Sequence, residues 1–276
     1  MSKIVNPFKY LFALFLSLLL IISCKDRIDG CRDIEATNYD VSADDPCSDD
    51  CCTYPSLLLE VSHKYDSLNF SFASTYIIAG DTLRFEQVIF YLSNFRLVNE
   101  TDSMEVVDTI ELDIIGQGTD IFKDDYTLVS RSVSSFSYNV GQIRGTGEFN
   151  TLKFSVGIAG NAAFANAGTV TDGHPLSINT DTLWTDTAGY VFNRVTVIPD
   201  TSNISIVRQI DINGGENLVE VSLAFSQEVI LGIDVEIPLK IDYEKWFSGI
   251  DFVNDSTDVI ITNIVEQTTN AFSINE

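Results

Sequence analysis

The sequence predicts an all-β protein: an antiparallel β-sandwich with a short C-terminal helix, preceded by a small disulfide-stapled module. Three observations support this prediction. Apolar and polar residues alternate in a series of segments from Pro55 onward, one late segment has helical spacing, and the cysteines lie near the N-terminus. At 276 residues the chain is long enough to form one large β domain or two small ones.

Residues 1–23 have the pattern of a bacterial lipoprotein signal peptide. Lys3 and Lys9 form a positively charged region before an apolar run, Leu11 to Ile22, which is shorter than a usual membrane span. The run ends in Leu-Ile-Ile-Ser-Cys, which resembles a lipobox, so we expect Cys24 to carry acyl chains and become the new N-terminus. The expected location is the outer membrane, on its periplasmic side or at the cell surface. A short transmembrane anchor is the alternative.

Residues 24–55 are predicted to form the lipidated N-terminus and a cysteine-rich acidic spacer. The remaining cysteines, Cys31, Cys47, Cys51 and Cys52, are dense enough to indicate two disulfides in an oxidising compartment. A bond between the adjacent Cys51 and Cys52 would be strained. Cys31 is therefore expected to pair with one of them and Cys47 with the other. A zinc site made by the four thiolates is the competing interpretation.

The same spacer resembles a short repeat found in exported proteins of bacteria with two membranes, GC-x-D-x-x-A-x-NY followed by A-x-x-DD and C-x-Y. The matching residues are Gly30, Cys31, Asp33, Ala36, Asn38, Tyr39, Ala43 and Cys52. The aspartates of this segment are candidate ligands for Ca²⁺, although their spacing is not that of an EF-hand loop. These candidates are Asp40, Asp44, Asp45, Asp49 and Asp50.

Residues 56–276 are predicted to form the β-sandwich. In the first strand, His63 shares a face with the apolar residues Leu57, Leu59, Val61 and Tyr65, so we expect its side chain to point inward. In the long apolar segment from Thr82 to Asn99, the apolar residues change face near Gln87. That change indicates either a bulge or a strand buried on both sides.

Three later segments alternate in the same way and are predicted strands: 152–158, 219–225 and 235–243. Pro238 lies on the outward face of the last of them, which predicts an edge or bulged strand because proline has no N–H to donate. The helix is predicted at Asp258 to Asn270, where isoleucine and valine recur at helical spacing. Trp246 is expected in the core.

Charge and the absence of motifs exclude several classes of function. The chain has 40 acidic and 16 basic residues, a net charge of −24, which would repel a phosphate backbone, so nucleic acid is not an expected partner. The sequence contains no G-x-S-x-G, P-loop, dinucleotide fingerprint or H-E-x-x-H motif, and its two histidines cannot form a three-imidazole zinc centre. We therefore expect no enzymatic activity. Among the carboxylate pairs that a glycosidase could use, Asp181 and Asp186, which flank Trp184, are the most suggestive.

The order of these segments resembles the MbnP-like domain over about residues 56–276. The most specific matches are the segment YLSNFRL at residues 91–97 and the arrangement W-x-x-x-x-G-Y of Trp184, Gly189 and Tyr190. The latter lies in the polar segment HPLSINTDTLWTDTAGY, residues 174–190, which also contains His174. Members of the family often have W-x-W before the Gly-Tyr, whereas this chain has Asp186 at the second position.

The resemblance implies a copper-binding protein. In copper-binding members, a dihaem MbnH-type peroxidase oxidises a tryptophan to kynurenine, whose nitrogen can join imidazoles in a low-coordinate site suited to Cu(I). By position, Trp184 is the residue to be oxidised, His63 the first imidazole ligand and His174 a second. Close approach of His63 and Trp184 would support this site.

The alternative function is that of a structural or interaction lipoprotein without metal, which presents an acidic sandwich to glycans or partner proteins. In that case Trp184 is an aromatic at the edge of the sandwich, and Gly189 serves a turn that needs positive φ.

Overall fold

The computed structural model describes residues 26–48, 51–130, 137–179, 183–185, 189–199 and 206–275. Cys24 and four of the aspartates considered above lie outside these ranges: Asp49, Asp50, Asp181 and Asp186. The chain divides into two compact units between Thr53 and Tyr54. Within the described ranges, no helix combines the length and apolar character needed to cross a membrane.

The described residues form strands, two α-helices and three short 3-10 segments. The strands are β1 (Asp29–Gly30), β2 (Asp45–Pro46), β3 (Ser56–Tyr65), β4 (Leu68–Asn69), β5 (Tyr76–Ile78), β6 (Asp81–Val98), β7 (Ser103–Glu105), β8 (Thr109–Ile114), β9 (Gly118–Lys123), β10 (Thr127–Ser130), β11 (Ser137–Gln142), β12 (Gly147–Val156), β13 (Trp184–Thr185), β14 (Gly189–Tyr190), β15 (Asn193–Ile198), β16 (Arg208–Ile212), β17 (Val219–Val229), β18 (Val235–Asp242) and β19 (Phe272–Ile274). The helices are α1 (Tyr243–Trp246) and α2 (Thr257–Ala271), and the 3-10 segments are Gly160–Phe164, Ala167–Thr169 and Gly215–Asn217.

The first unit is small and held by two disulfides. Cys31 is bonded to Cys52 and Cys47 to Cys51, with Cα–Cα distances of 5.1 and 6.1 Å. The adjacent cysteines are not bonded to each other, as the sequence predicts, and the open choice of partner is resolved. The four sulfurs are consumed by these bonds, so the thiolates that a zinc site requires are not present.

The second unit is a sandwich of two large sheets. An eight-stranded sheet has the order β16-β15-β6-β12-β17, and β5, β7 and β10 also pair with β6. A five-stranded sheet has the order β11-β3-β18-β19, with β4 paired to β3. The main hydrophobic core lies between the sheets and takes apolar side chains from both. The predicted sandwich class is confirmed.

Strand β6 is buried on both faces. Phe90 and Leu92 belong to the main core, whereas Ile89 and Tyr91 belong to a second hydrophobic cluster on the outer face of the eight-stranded sheet. The register between β6 and β15 also shifts where Thr196 lies opposite Gln87 and the next residue lies opposite Phe85. Both readings of the face change near Gln87, a bulge and two-sided burial, therefore hold.

Strand β18 differs from the prediction in two ways. It is a central strand, since β3 and β19 lie on either side of it, and its pairing with β3 is parallel. Pro238 is tolerated there because it lies just outside the pairing with β19, which begins at Leu239. Its carbonyl still accepts a hydrogen bond from Asn275 N (2.7 Å). The N–H that Pro238 lacks would face the end of β19, so a ladder bond inside that pairing is not lost.

Helix α2 confirms the predicted C-terminal helix. The Ser256 side chain accepts a hydrogen bond from Val259 N and caps its first turn. Ile260 and Ile264 lie on its buried stripe. The fully buried Trp246 donates from Nε1 to the carbonyl of Ile264 (3.2 Å), so the helix closes over the main core beside α1.

A buried carboxylate stabilises an irregularity within the YLSNFRL segment. Asn94 has φ +59°, and the register between β6 and β12 shifts between Lys153 and Ser155, opposite this point. Asp125, only 4% exposed, accepts a hydrogen bond from Phe95 N at 2.8 Å. An irregular strand leaves backbone N–H groups without ladder partners, and the carboxylate supplies an acceptor.

We expect Asp125→Asn to change the pH dependence of stability. Burial raises the pKa of Asp125 above its ordinary value of 3.8 and outweighs the backbone hydrogen bonds from Asn94 and Phe95, which lower it. Because the folded-state pKa is the higher one, this group's contribution to stability is complete below 3.8 and is lost as the pH rises through the folded-state pKa. The unfolding free energy of the wild type minus that of the variant should therefore increase on acidification.

Urea unfolding at a series of pH values measures this difference. The matched control is Asp120→Asn, which changes an exposed carboxylate of β9. A difference for Asp125→Asn that stays constant between neutral and acidic pH would contradict the expectation.

Candidate functional site

His63 is a core residue of β3. It lies opposite Ile241 in the parallel pairing with β18, which continues into α1, so the first residue of that helix, Tyr243, is brought beside it. The His63 Nδ1 and the Tyr243 hydroxyl are 2.7 Å apart, and the two rings stack with centroids 5.7 Å apart. His63 is 4% exposed. The inward orientation that period two predicts is confirmed.

Trp184 lies in a pair of antiparallel two-residue strands, the β13–β14 hairpin, on the other side of the eight-stranded sheet. It pairs with Tyr190 across β13 and β14, and its Nε1 donates to the carbonyl of Ala165 at 3.0 Å. The half-buried indole packs against the second cluster, which contains Tyr190 and the outward face of β6. The arrangement is that of an aromatic side chain covering the edge of an apolar layer.

Gly189 makes this hairpin possible. It has φ +69°, and a Cβ at this position would collide with the carbonyl oxygen of Ala163. Both conditions exclude other residues, because positive φ is unfavourable for L side chains and the close neighbour is backbone. The Gly of the W-x-x-x-x-G-Y segment is thus required by the packing of Trp184's hairpin against the 3-10 segment.

The structure does not bring His63 and Trp184 together. His63 stacks on an aromatic residue of the main core, and Trp184 packs on the second cluster, so the eight-stranded sheet lies between them. A copper centre that uses both side chains would require one of them to leave its hydrophobic surroundings. The residues therefore do not fit the shared low-coordinate Cu(I) site that the resemblance implies.

His174 lies in a cleft of its own. Its Nε2 is 2.8 Å from Asp124 Oδ1, and its Nδ1 accepts a hydrogen bond from Leu176 N at 3.1 Å. Since a backbone N–H donates to Nδ1, the proton of the neutral ring is on Nε2 and is donated to the Asp124 carboxylate. The imidazole is thus oriented from both sides, and its side chain is 16% exposed.

We define the His174 cleft by the residues that line this cavity of about 250 Å³: Asp108, Asp124, Tyr126, Asn139, Val140, Gly141, His174 and Pro175. A glycine is needed in its floor. Gly141 sits at a register shift between β11 and β3 with φ +143°, and a Cβ there would collide with Val106 and lie 3.2 Å from the carbonyl oxygen of Asp124. The two chain segments that carry the carboxylates can approach β11 only because this side chain is absent.

The cleft is anionic and partly desolvated. Asp108 accepts a hydrogen bond from Gln142 N (2.7 Å), and Asp124 N donates to the carbonyl of Asp108 (2.9 Å), which fixes both backbones. Burial, with smaller contributions from the Asp125 and Asp124 carboxylates, raises the pKa of Tyr126 above its ordinary value. The phenol therefore stays protonated and remains a hydrogen-bond donor at neutral pH.

The donor set of the cleft suits a borderline divalent ion better than Cu(I). An imidazole and carboxylates favour Cu(II), whereas Cu(I) prefers sulfur donors or a few imidazoles. The donors are not already gathered, however. In the described part of the chain, three or more His, Cys, Asp or Glu ligand atoms lie within 4.8 Å of one another only at Cys47, Cys51 and Cys52. Only His174 and Asp124 are in direct contact.

Calcium in the first unit remains a prediction. The described aspartates there already have protein partners: Asp40 accepts from both the hydroxyl (2.7 Å) and the N–H (2.8 Å) of Ser42, and these bonds hold the pKa of Asp40 below its ordinary value. Asp44 accepts from Ile28 N. Among the carboxylates that the structure describes, none gather in threes within ligand distance.

Sequence reasoning missed Asp108 and Asp124. The available signal was the adjacent pair Asp124-Asp125 in the short connection between β9 and β10, where no strand period indicates which carboxylate points inward. Asp125 is the buried one and Asp124 reaches His174. Nothing in the sequence indicates that residue 124 meets residue 174.

We expect Gly189→Ala to destabilise the second unit by about 3 kcal/mol, because it combines positive φ with a backbone collision. Gly160→Ala is the matched control: Gly160 also has positive φ, +66°, but a Cβ there would meet nothing within 4 Å, so we expect a loss of about 1 kcal/mol. Urea unfolding of both variants measures the difference. Equal losses would show that close packing against Ala163 does not constrain the hairpin.

The chain matches the family model described as MbnP over residues 54–264. No curated protein matches it. Among solved structures, "MbnP from Methylosinus trichosporium" matches at 14% sequence identity and a TM-score of 0.45, covering 69% of this chain and 76% of that one. The family model spans most of the second unit, including the YLSNFRL segment and the Trp184 hairpin. The chain belongs to the MbnP family.

Proposed function

We propose that this MbnP-family chain is an exported, lipid-anchored binding protein without catalytic activity, which takes copper as Cu(II) in the His174 cleft. The observation that carries the proposal is the contact of the His174 imidazole with the Asp124 carboxylate in a cavity open to solvent. Of the three side chains that the family resemblance suggests as ligands, His174 is the one beside an acidic partner in such a cavity.

The chemistry of binding follows from the ring's proton. Nε2 carries the ring proton that it donates to Asp124, so binding of a metal ion at Nε2 would require that proton to move to Nδ1, which would then give up the hydrogen bond from Leu176 N. The ion would be held by the imidazole and the Asp124 carboxylate together. Asp108 lines the same cavity and is a third candidate oxygen donor. Metal affinity should fall on acidification, because protons compete for both kinds of ligand. The net charge of −24 attracts cations to the surface.

His174→Asn is expected to weaken Cu(II) binding by at least about tenfold, since it removes the nitrogen ligand. His63→Asn and Trp184→Phe are the controls, and they should bind Cu(II) like the wild type. Isothermal titration gives the affinities, and electron paramagnetic resonance shows whether nitrogen coordination disappears only in His174→Asn. Loss of binding confined to the His63 and Trp184 variants would place the ion elsewhere and contradict the cleft.

Oxidation of Trp184 by a dihaem MbnH-type peroxidase is a separate part of the proposal. Trp184 is half-buried at the edge of the second cluster, whereas Trp246 is fully buried in the main core, so an external oxidant has access to the former. Conversion to kynurenine, with release of formate, is a net gain of one oxygen and loss of one carbon. Peptide mass spectrometry of protein isolated from its native envelope should find this change at Trp184 and not at Trp246. An unmodified Trp184 would contradict the proposal that a dihaem peroxidase acts on this chain.

The anchor is tested at Cys24. We expect fatty-acid labelling of the wild type and none of Cys24→Ser, and the variant should leave the outer-membrane fraction. Protease treatment of intact cells then distinguishes the cell surface from the periplasmic side. Labelling that persists in Cys24→Ser would contradict lipidation at this residue.

A second candidate function is that of a metal-free interaction lipoprotein that binds glycans or partner proteins. The separation of His63, in the main core, from Trp184, on the second cluster, favours it. Copper analysis distinguishes the two functions: a native protein that neither carries nor takes up Cu(II) would favour the metal-free interaction lipoprotein over the copper-binding protein.

A further inference from the structure

One turn of the second unit has an unusual composition for its position. The connection between β17 and β18 turns through Ile230, Leu231, Gly232 and Ile233, closed by a hydrogen bond from Ile233 N to the carbonyl of Ile230 (3.2 Å). Gly232 has φ +71°, as a tight turn requires. The other three residues are large and aliphatic, whereas exposed turns are normally built from small and polar residues.

The three side chains point into solvent. Their exposed fractions are 47% for Ile230, 37% for Leu231 and 54% for Ile233. A groove of about 370 Å³ runs from Ile230 and Leu231 past Val229 to the turn between β11 and β12, and Glu148 and Glu228 line its sides. We call Ile230, Leu231 and Ile233 the apolar tip. Apolar side chains concentrated at one exposed turn mark a contact with a protein or a membrane.

The apolar tip lies at the end of the sandwich where the chain enters the second unit. Asp234, the residue after the tip, accepts a hydrogen bond from Ser56 N at 2.7 Å, so the tip lies at the end of the sandwich where the chain enters β3. Beside that entry, the Arg144 guanidinium lies 3.9 Å from the ring centroid of Tyr54. Tyrosine and arginine are side chains that sit well at the boundary between lipid headgroups and acyl chains.

We propose that the apolar tip inserts into the surface of the lipid bilayer and forms a second membrane contact beside the acyl anchor. The inference rests on the proposed function in one respect: the anchor at Cys24 lies about thirty residues before Tyr54, so along the chain it is attached at the end of the sandwich where β3 begins. Acyl chains hold a protein at the membrane without fixing its orientation, and a second contact through the protein surface would orient the sandwich on the bilayer. Glu228 and Asp234 flank the tip, so the matching surface is zwitterionic rather than anionic.

The test uses the mature chain, residues 24–276 with Cys24→Ser, which contains both compact units and no acyl chain. Its partition onto phosphatidylcholine vesicles is measured by sedimentation. We expect binding, at least about tenfold weaker in the triple variant Ile230→Ser, Leu231→Ser, Ile233→Ser. The matched control exchanges three exposed aliphatic residues elsewhere on the second unit, Leu68→Ser, Ile77→Ser and Ile121→Ser, which are 72%, 72% and 67% exposed. It should bind like the parent.

Absence of vesicle binding by the parent chain, or equal binding by the tip variant, would overturn the inference. So would a concentration-dependent dimer that disappears in the tip variant without any vesicle binding, because the tip would then be a contact between copies. Urea unfolding confirms that the serine variants remain folded. Since this chain has no acyl group, the result does not depend on lipidation: missing fatty-acid labelling at Cys24 with vesicle binding intact would contradict the proposed anchor alone.

Discussion

The burial of β6 on both faces is the constraint on which the second unit depends. Its eighteen residues contribute Phe90 and Leu92 to the main core and Ile89 and Tyr91 to the second cluster. The first set requires a facing sheet, and the second requires an outer cover, which the β8–β9 hairpin and the described residues between Ile158 and Phe192 supply. Apolar side chains on both faces of one strand therefore explain why the sandwich of two large sheets has a third layer, made of short hairpins and connecting segments, on its outer face.

The same constraint decides what the family segments do. His63 lies in the inner layer against Tyr243, whereas Trp184 lies in the outer layer against Tyr190 and Ala165. The two residues that the family resemblance links through chemistry are thus separated by a sheet and held by different packing. His174 lies at the margin of the second cluster, edge-to-face with Tyr126, and is oriented through both ring nitrogens, with Asp124 as its acidic partner. The contact between His174 and Asp124 thus lies at the margin of the apolar layers and not within them.

The sequence predicts elements whose signals are local. The inward face of His63, the irregularity near Gln87 and the C-terminal helix all follow from period, and the structure confirms them. Strand partners are a different matter, because period two does not specify which strands pair or in which direction. The parallel pairing of β3 with β18, and the tolerance of Pro238 in a central strand, depend on where β19 ends. The meeting of Asp124 with His174 is equally non-local, since fifty residues and several strands separate them.

The disulfides of the first unit have a consequence for distance. An extended chain from Cys24 to Tyr54 would span about 100 Å, but the Cys31–Cys52 bond brings residues 21 positions apart to a Cα separation of 5.1 Å. The sequence has no cysteine after Cys52, so reduction would act on this spacer and leave the sandwich chemically unchanged. In an anchored protein, the redox state of the compartment would thus set the length of the tether, and with it the local concentration of the sandwich at the membrane.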